Sequence, residues 1–133
     1  MPFVASAQAL NARLTRVPFD EPLTHQGLYR VPLFGSPAMR LVLLEFPAGF
    51  RTIPHRHPNA HEWFLIVGGS GTFTIGDSEP TPVGPGDLLL AEIDEVHAIE
   101  AGPAGLRFLA GVGPNEDRPD EEINVGQRGE GHG

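Results

Sequence analysis

From residue 28 onward apolar and polar positions alternate with the period of strands rather than of helices. Residues 28–34, a Gly35-Ser36-Pro37-Ala38 turn and residues 39–46 read as a hairpin. Pro47-Ala48-Gly49 ends it, and further strands are expected at residues 50–57, 62–67, 71–75, 87–91, 97–100 and 106–112. Turn signals separate them: Pro58-Asn59, Gly68-Gly69, Gly76-Asp77, Gly84-Pro85-Gly86 and Gly102-Pro103. The best helix candidate is residues 5–14, where Ser6 can cap and the alanines favour helix; so short a stretch equally suits a loose arm. Short strands at this spacing predict an all-β chain, an antiparallel sandwich or barrel, with no second domain and no internal repeat.

Composition supports that reading and narrows the partners. The chain has 133 residues, enough for one substantial core, and its 17 glycines and 14 prolines favour many short elements joined by turns. A net charge of −8 without a basic cluster would repel a polyanion, so nucleic acid is not an expected partner. No apolar run reaches bilayer length and the N-terminus lacks a signal-peptide pattern; neither membrane insertion nor export is expected, and a cytoplasmic location is. The absence of cysteine removes disulfides and thiolate metal sites, which leaves imidazole and oxygen as metal ligands. The tail from Gly113 is rich in Asp, Glu and Gly and is expected to be partly disordered.

Half of the six histidines fall between residues 55 and 61, followed at once by Glu62. His55 and His57 are two apart, so on a strand both side chains point to one face. Pro58-Asn59-Ala60 can turn the chain, letting Glu62 begin a neighbouring strand with Phe64 and Ile66 on its face. A carboxylate among such residues is costly unless something positive holds it, because desolvation alone would raise its pKa. Two imidazoles and a carboxylate converging on a divalent cation answer that need. The bland alternative places the histidines on an exposed loop and Glu62 at a solvated strand end. His61 has the opposite parity, which puts it outward or at the rim, suited to hydrogen bonding or proton transfer rather than to ligation. Other motifs fail: Leu65 stands where a zincin helix needs its second histidine, and Gly69-Ser70-Gly71 leads into a strand-like run, unlike a dinucleotide loop.

With Gly49, His55, His57, Glu62 and Gly69 in place, the chain resembles the cupins, whose first motif runs glycine, five residues, His-X-His, four residues, glutamate, six residues, glycine. Pro85-Gly86-Asp87 through His97 looks like the second motif. The resemblance implies a small antiparallel jelly-roll (double-stranded β-helix) barrel over residues 41–112. Residues 1–40 would form an N-terminal arm and hairpin strand packed on the barrel or a partner chain, and residues 113–133 a tail. It also implies that His55, His57, Glu62 and His97 ligate one metal ion; His97 enters through the resemblance alone. The chain departs from the family in the turn before His97, which carries Glu92-Ile93-Asp94-Glu95 in place of Pro or Gly, and in Ile99-Glu100 after it. That acidic turn reads either as solvated or as a screen against anionic substrates.

Three imidazoles and a carboxylate suit one divalent transition ion per chain, Fe, Mn, Ni, Co, Cu or Zn. Phe64, Ile66, Phe73, Ile75 and Ile99, with Phe46 or Phe108, would give the site an apolar lining. Arg51 and Arg107 are the cations nearest these strands and are candidates to pair with a substrate carboxylate. Such a site suits a small organic substrate, with quercetinase-like cleavage by O₂ the leading reaction. The rivals are a non-catalytic binding module with a structural metal and a sugar isomerase or epimerase. The apolar strand before Leu41 and the resemblance together favour a homodimer.

Overall fold

The structure, a computed structural model, describes residues 3–5, 13–114 and 123–124. Among these residues it is all-β, with strands β1 (Phe3–Ala5), β2 (Leu28–Ser36), β3 (Met39–Phe46), β4 (His55–Arg56), β5 (His61–Ile75), β6 (Thr81–Val83), β7 (Leu88–Ala91), β8 (His97–Gly113) and β9 (Ile123–Asn124). The hydrogen-bonded order is β1-β2-β3-β8-β4-β9, with β5 joining β8 to β6 and β7. Every pairing except β1 with β2 is antiparallel. No helix among the described residues is long and apolar enough to cross a membrane.

Two long strands organise the barrel. β5 and β8 pair from His61↔Gly113 to Ile75↔His97, and the ladder slips at Ile66/Gly68 and Gly69/Gly71. These bulges bend the pair so that its two halves face each other across the core. Glycine is required there: a Cβ at Gly69, whose φ is +76°, would lie 2.1 Å from the Gly105 carbonyl oxygen, and one at Gly71 would lie 2.2 Å from that of Glu100. The bend brings Phe73, Ile99 and Ala101 into one buried cluster with Phe46, Phe64, Ile66, Leu106 and Phe108. Ile66 and Leu106 are fully enclosed, and Phe64 packs on Phe73 with ring centroids 5.6 Å apart.

The β2–β3–β8–β5 face toward this core carries the cross-strand rows Arg40–Val112–Glu62 and Arg30–Leu44–Phe108–Ile66. Its opposite face is also apolar. Val31, Leu33 and Leu43 cluster there with Val17, Tyr29, Leu41 and Leu109. The arm that precedes β2 lies over them, tied by the Asp20 N–H donating to the Val67 carbonyl at 2.6 Å.

The differences from the sequence expectation have local causes. Residues 62–67 and 71–75 are one strand, as are 97–100 and 106–112, because the intervening glycines form bulges instead of chain reversals. Of residues 50–57 only His55–Arg56 forms a strand; Pro54 has no N–H to give. Thr52 still donates to the Ile99 carbonyl at 3.0 Å, and Arg51 forms an isolated bridge with Glu100. Thr81–Val83 is an additional short strand, paired only with β5, and it tolerates Pro82 at an edge. The expected helix at 5–14 falls, over residues 6–12, outside the described residues, and Ala5 closes β1. Of the acidic tail beyond Pro114, β9 alone lies within the described residues.

Candidate metal centre

The strand ladder carries the distant histidine to the local pair. His55 on β4 is the direct partner of His97, the first residue of β8, and Glu62 enters from the start of β5 after the Pro58-Asn59 turn. The His55 and His97 rings are 4.4 Å apart, His55 and His57 5.4 Å, and His57 and His97 5.7 Å. One donor atom from each of His55, His57, Glu62 and His97 can be chosen so that all lie within 4.8 Å of one another. His57, Glu62 and His97 are buried and His55 is half-buried. Glu62 Oε1 lies 2.9 Å from His57 Nε2 and 3.1 Å from His97 Nε2.

Backbone carbonyls set two of the rings. His55 Nδ1 is 2.7 Å from the Ile53 carbonyl and His97 Nδ1 is 3.0 Å from that of Glu95. A carbonyl only accepts, so each Nδ1 carries the proton and each Nε2 turns to the cluster. In its neutral form His97 then aims a lone pair at the Glu62 oxygen, and that contact is favourable only with a cation there, a proton or a metal. This is the outer arrangement that metal-binding histidines use. The donor set of three imidazole nitrogens and one carboxylate oxygen fits a divalent transition ion.

The acidic turn supports the same rings. Its Asp94, at φ +67°, donates its N–H to the His57 carbonyl at 2.8 Å, and its carboxylate lies 3.2 Å from Arg56 Nε. Glu95 supplies the carbonyl that orients His97. The turn is partly exposed, as the solvated reading expects, yet its backbone positions two of the four candidate ligands.

Burial pushes the Glu62 carboxyl upward, but hydrogen bonds and charge from His57 and His97 outweigh it and hold the pKa down at about 2. The expectation that desolvation would raise it in the absence of a cation is therefore corrected. Protonated, the histidines themselves keep the carboxylate ionised.

Of the expected lining, Ile99 borders a groove of about 350 Å³. Phe64, Ile66, Phe73 and Ile99 belong to the packed core, and Ile75 packs against it; Phe64 touches the site, its ring 5.7 Å from that of His97. Arg107 lies on the opposite face of the sheet, where its Nε donates to Glu45 Oε2 at 2.8 Å and its two Nη groups donate to the Glu21 and Pro22 carbonyls. Arg51 is exposed and borders the same groove with Thr72, Thr74 and Glu100. His61 is exposed on the face away from Glu62, where its parity places it. The open space beside Glu62 is a cavity of about 190 Å³ lined by Arg30, Arg40, Val42, Leu44, Ala110 and Val112. Sequence reasoning passed over Arg30 and Arg40. Parity groups Arg40 with Val42, Leu44 and Phe46, but β3 is apolar at both parities and the pattern does not say which one faces in.

The fold and site define a small double-stranded β-helix barrel with three histidines and one glutamate that could hold a metal. The chain belongs to the cupin domain family, whose profile matches residues 42–110, just over half of it. It is 41% identical over 73 residues to the dimethylsulfoniopropionate lyase DddW of Ruegeria pomeroyi, a match covering 55% of this chain and 47% of that protein. The chain thus spans about half the length of this curated relative. The crystal structure of dimethylsulfoniopropionate lyase DddQ from Ruegeria pomeroyi superposes with a TM-score of 0.64 at 22% identity, covering 74% of this chain and 52% of that one. A variant of Bacillus subtilis oxalate decarboxylase superposes with a TM-score of 0.66 at 22% identity, covering 80% of this chain and 30% of that one. Both structural likenesses speak to the fold alone.

Proposed function

We propose that this chain is a metal-dependent enzyme that cleaves a small, acyclic organic molecule without consuming O₂, a lyase-type reaction. The observation that carries the proposal is the convergence of His55, His57, Glu62 and His97, with donor atoms within 4.8 Å of one another and two rings locked through Nδ1. When bound, a divalent ion supplies Lewis acidity and orients a substrate oxygen. The protein's own part is to fix the ligands through the Ile53 and Glu95 carbonyls and to border the space beside Glu62 with Arg30, Arg40, Val42, Leu44, Ala110 and Val112.

Size supports this reading over quercetinase-like ring cleavage. The cavity of about 190 Å³ beside Glu62 lies below the range of roughly 300–1,000 Å³ that drug-sized ligands occupy, which supports a small substrate. The similarity to a lyase at 41% identity supports a redox-neutral cleavage.

The test starts from protein purified without a histidine tag. Its metal content is measured, and small acyclic substrates, dimethylsulfoniopropionate among them, are screened for cleavage under argon. Turnover under argon that vanishes with chelation supports the proposal. Turnover that requires O₂ moves the protein to the oxygenases, and full turnover after complete metal removal overturns the metal's role.

A further inference from the structure

The outer face of the sheet is an apolar surface that the N-terminal arm only half covers. Two cross-strand rows run from β3 to the edge strand β7, Leu41–Gly111–Trp63–Leu90 and Leu43–Leu109–Leu65–Leu88. Neither row holds a charged residue. Over the β3 end lies the arm, whose Val17 packs with the cluster that contains Leu41, Leu43 and Leu109. The β7 end is bare: Leu88 is 69% exposed and Leu90 56%. Trp63 lies against the glycine backbone of Gly111, where a Cβ would stand 2.2 Å from the indole. The arm leaves two apolar side chains of its own in water, Leu14 at 67% exposure and Phe19 at 57%. Leu14 borders the cavity over Val31, Leu33 and Leu43, and Phe19 precedes the Asp20 that bonds the Val67 carbonyl on β5. Of the five large apolar side chains exposed among the described residues, four therefore stand on this one side.

We infer that this face docks a second copy of the chain, the two sheets stacked outer face to outer face about a two-fold axis. A face covered on one half and bare on the other is a step, and a two-fold rotation sets the arm of each copy against β5 and β7 of the other. Leu14 and Phe19 then meet Leu88 and Leu90 of the other copy. Covering these four side chains removes roughly 450 Å² of surface per copy, over half of the roughly 800 Å² that a standard interface takes from each partner. Trp63 and Leu65, both half-buried, add to that area. Charge matches as well: Leu14 lies between the exposed Arg13 and Arg16, whereas β7 is flanked by the exposed Asp87 and Glu92. The acidic pair of the arm, Asp20 and Glu21, follows at its bend, where Asp20 has a φ of +56°. At a net charge of −8 the chain repels its own copies and anionic lipid alike, so contact is favourable only across an uncharged surface with a complementary rim. β2, where the sequence places a dimer contact, has its outer face under the arm and its free edge taken by β1, which moves the contact across the sheet to β5 and β7. None of this depends on the metal chemistry.

Sedimentation equilibrium of the full chain between about 1 and 100 µM reads the association constant. The wild type reaches the mass of a dimer within that range. Leu88→Glu/Leu90→Glu and Phe19→Glu each weaken dimerisation at least about 30-fold, the loss expected when a central contact is removed. Ile93→Glu, at the fifth exposed apolar position and outside both rows, leaves the wild-type constant in place. Trp63, the chain's one tryptophan, reports the same event without any substitution, so the test stands even if a variant fails to fold. Its emission moves to longer wavelength as the wild-type dimer is diluted apart. A wild-type monomer throughout overturns the inference, as does a dimer that survives both sets of substitutions or dissociates with no change in Trp63 emission. A mass that climbs past the dimer with concentration overturns the closed two-fold arrangement. Co-sedimentation of a monomer with phosphatidylcholine vesicles, lost in Leu88→Glu/Leu90→Glu, gives the face to lipid and overturns it too.

Discussion

Among the described residues two glutamates are buried in one sheet, and they are held in opposite ways. Glu45 faces outward beneath the N-terminal arm, with Arg107 Nε at 2.8 Å and His25 Nδ1 at 2.7 Å. Glu62 faces inward, and its neighbours are the imidazoles of His57 and His97. A guanidinium keeps its proton throughout the working pH range, so a carboxylate held by arginine is a permanent structural pair. An imidazole can give up its proton and offer the same nitrogen to a metal, so a carboxylate held by histidines sits in an exchangeable site. The first arrangement fastens the arm to the barrel, since Arg107 also reaches the Glu21 and Pro22 carbonyls. The second leaves room for chemistry.

The largest effect that separates them is on stability. Arg107→Ala leaves Glu45 buried without its main partner and should cost about 3–5 kcal/mol in denaturant unfolding, the usual penalty for breaking a buried pair. Metal content should stay at the wild-type value. A loss below about 1 kcal/mol would mean that Glu45 is not held as described.

Glu62→Gln should show the reverse balance. Metal affinity should fall by more than the roughly 10–100-fold that loss of an outer-shell partner costs, read by competition with a chelating dye. Stability of the metal-free protein should drop by only about 1–2 kcal/mol, for the lost hydrogen bonds to the imidazoles. A smaller effect is its acid titration. The folded-state pKa of Glu62 is depressed from 4.5 to about 2, so the fold binds fewer protons than the unfolded chain in that window. Its contribution is present above pH 4.5 and is lost as pH falls toward about 2. Thermal melts of the metal-free protein should therefore decline more steeply across this window in the wild type than in Glu62→Gln; parallel curves would contradict the assignment. The smallest effect belongs to Asp94→Asn. Asparagine tolerates the positive φ, and the Arg56–Asp94 pair is solvent-exposed, so stability should move by no more than about 0.5 kcal/mol. The backbone bond to His57 persists in that variant, and metal binding should persist with it.

The site was legible where its chemistry is local. His55, His57 and Glu62 announce themselves through strand parity and one turn. His97 lies far along the chain and meets them only through its pairing with His55, which no local pattern encodes; the resemblance to cupins supplied it. The cavity walls were illegible for a physical reason. Met39–Phe46 is largely apolar at both parities because both faces of β3 are covered, by the core on one side and the arm on the other. Alternation therefore did not tell that Arg40 faces in while Glu45 and Arg107 face out. The glycines misled in a different way. Gly68-Gly69 and Gly102-Pro103 signal turns, and in the fold they bend two continuous strands. Strand count suffered from this, whereas the all-β architecture did not.

The central claim is that the inward cluster is a metal centre, and metal stoichiometry tests it most directly. Wild-type protein without a tag and the double variant His55→Ala/His57→Ala are each loaded with Co²⁺, freed of excess ion and analysed by plasma mass spectrometry. Near-ultraviolet circular dichroism checks that both are folded. The account predicts close to one ion per wild-type chain and essentially none in the folded double variant; equal metal content in the two proteins would contradict it.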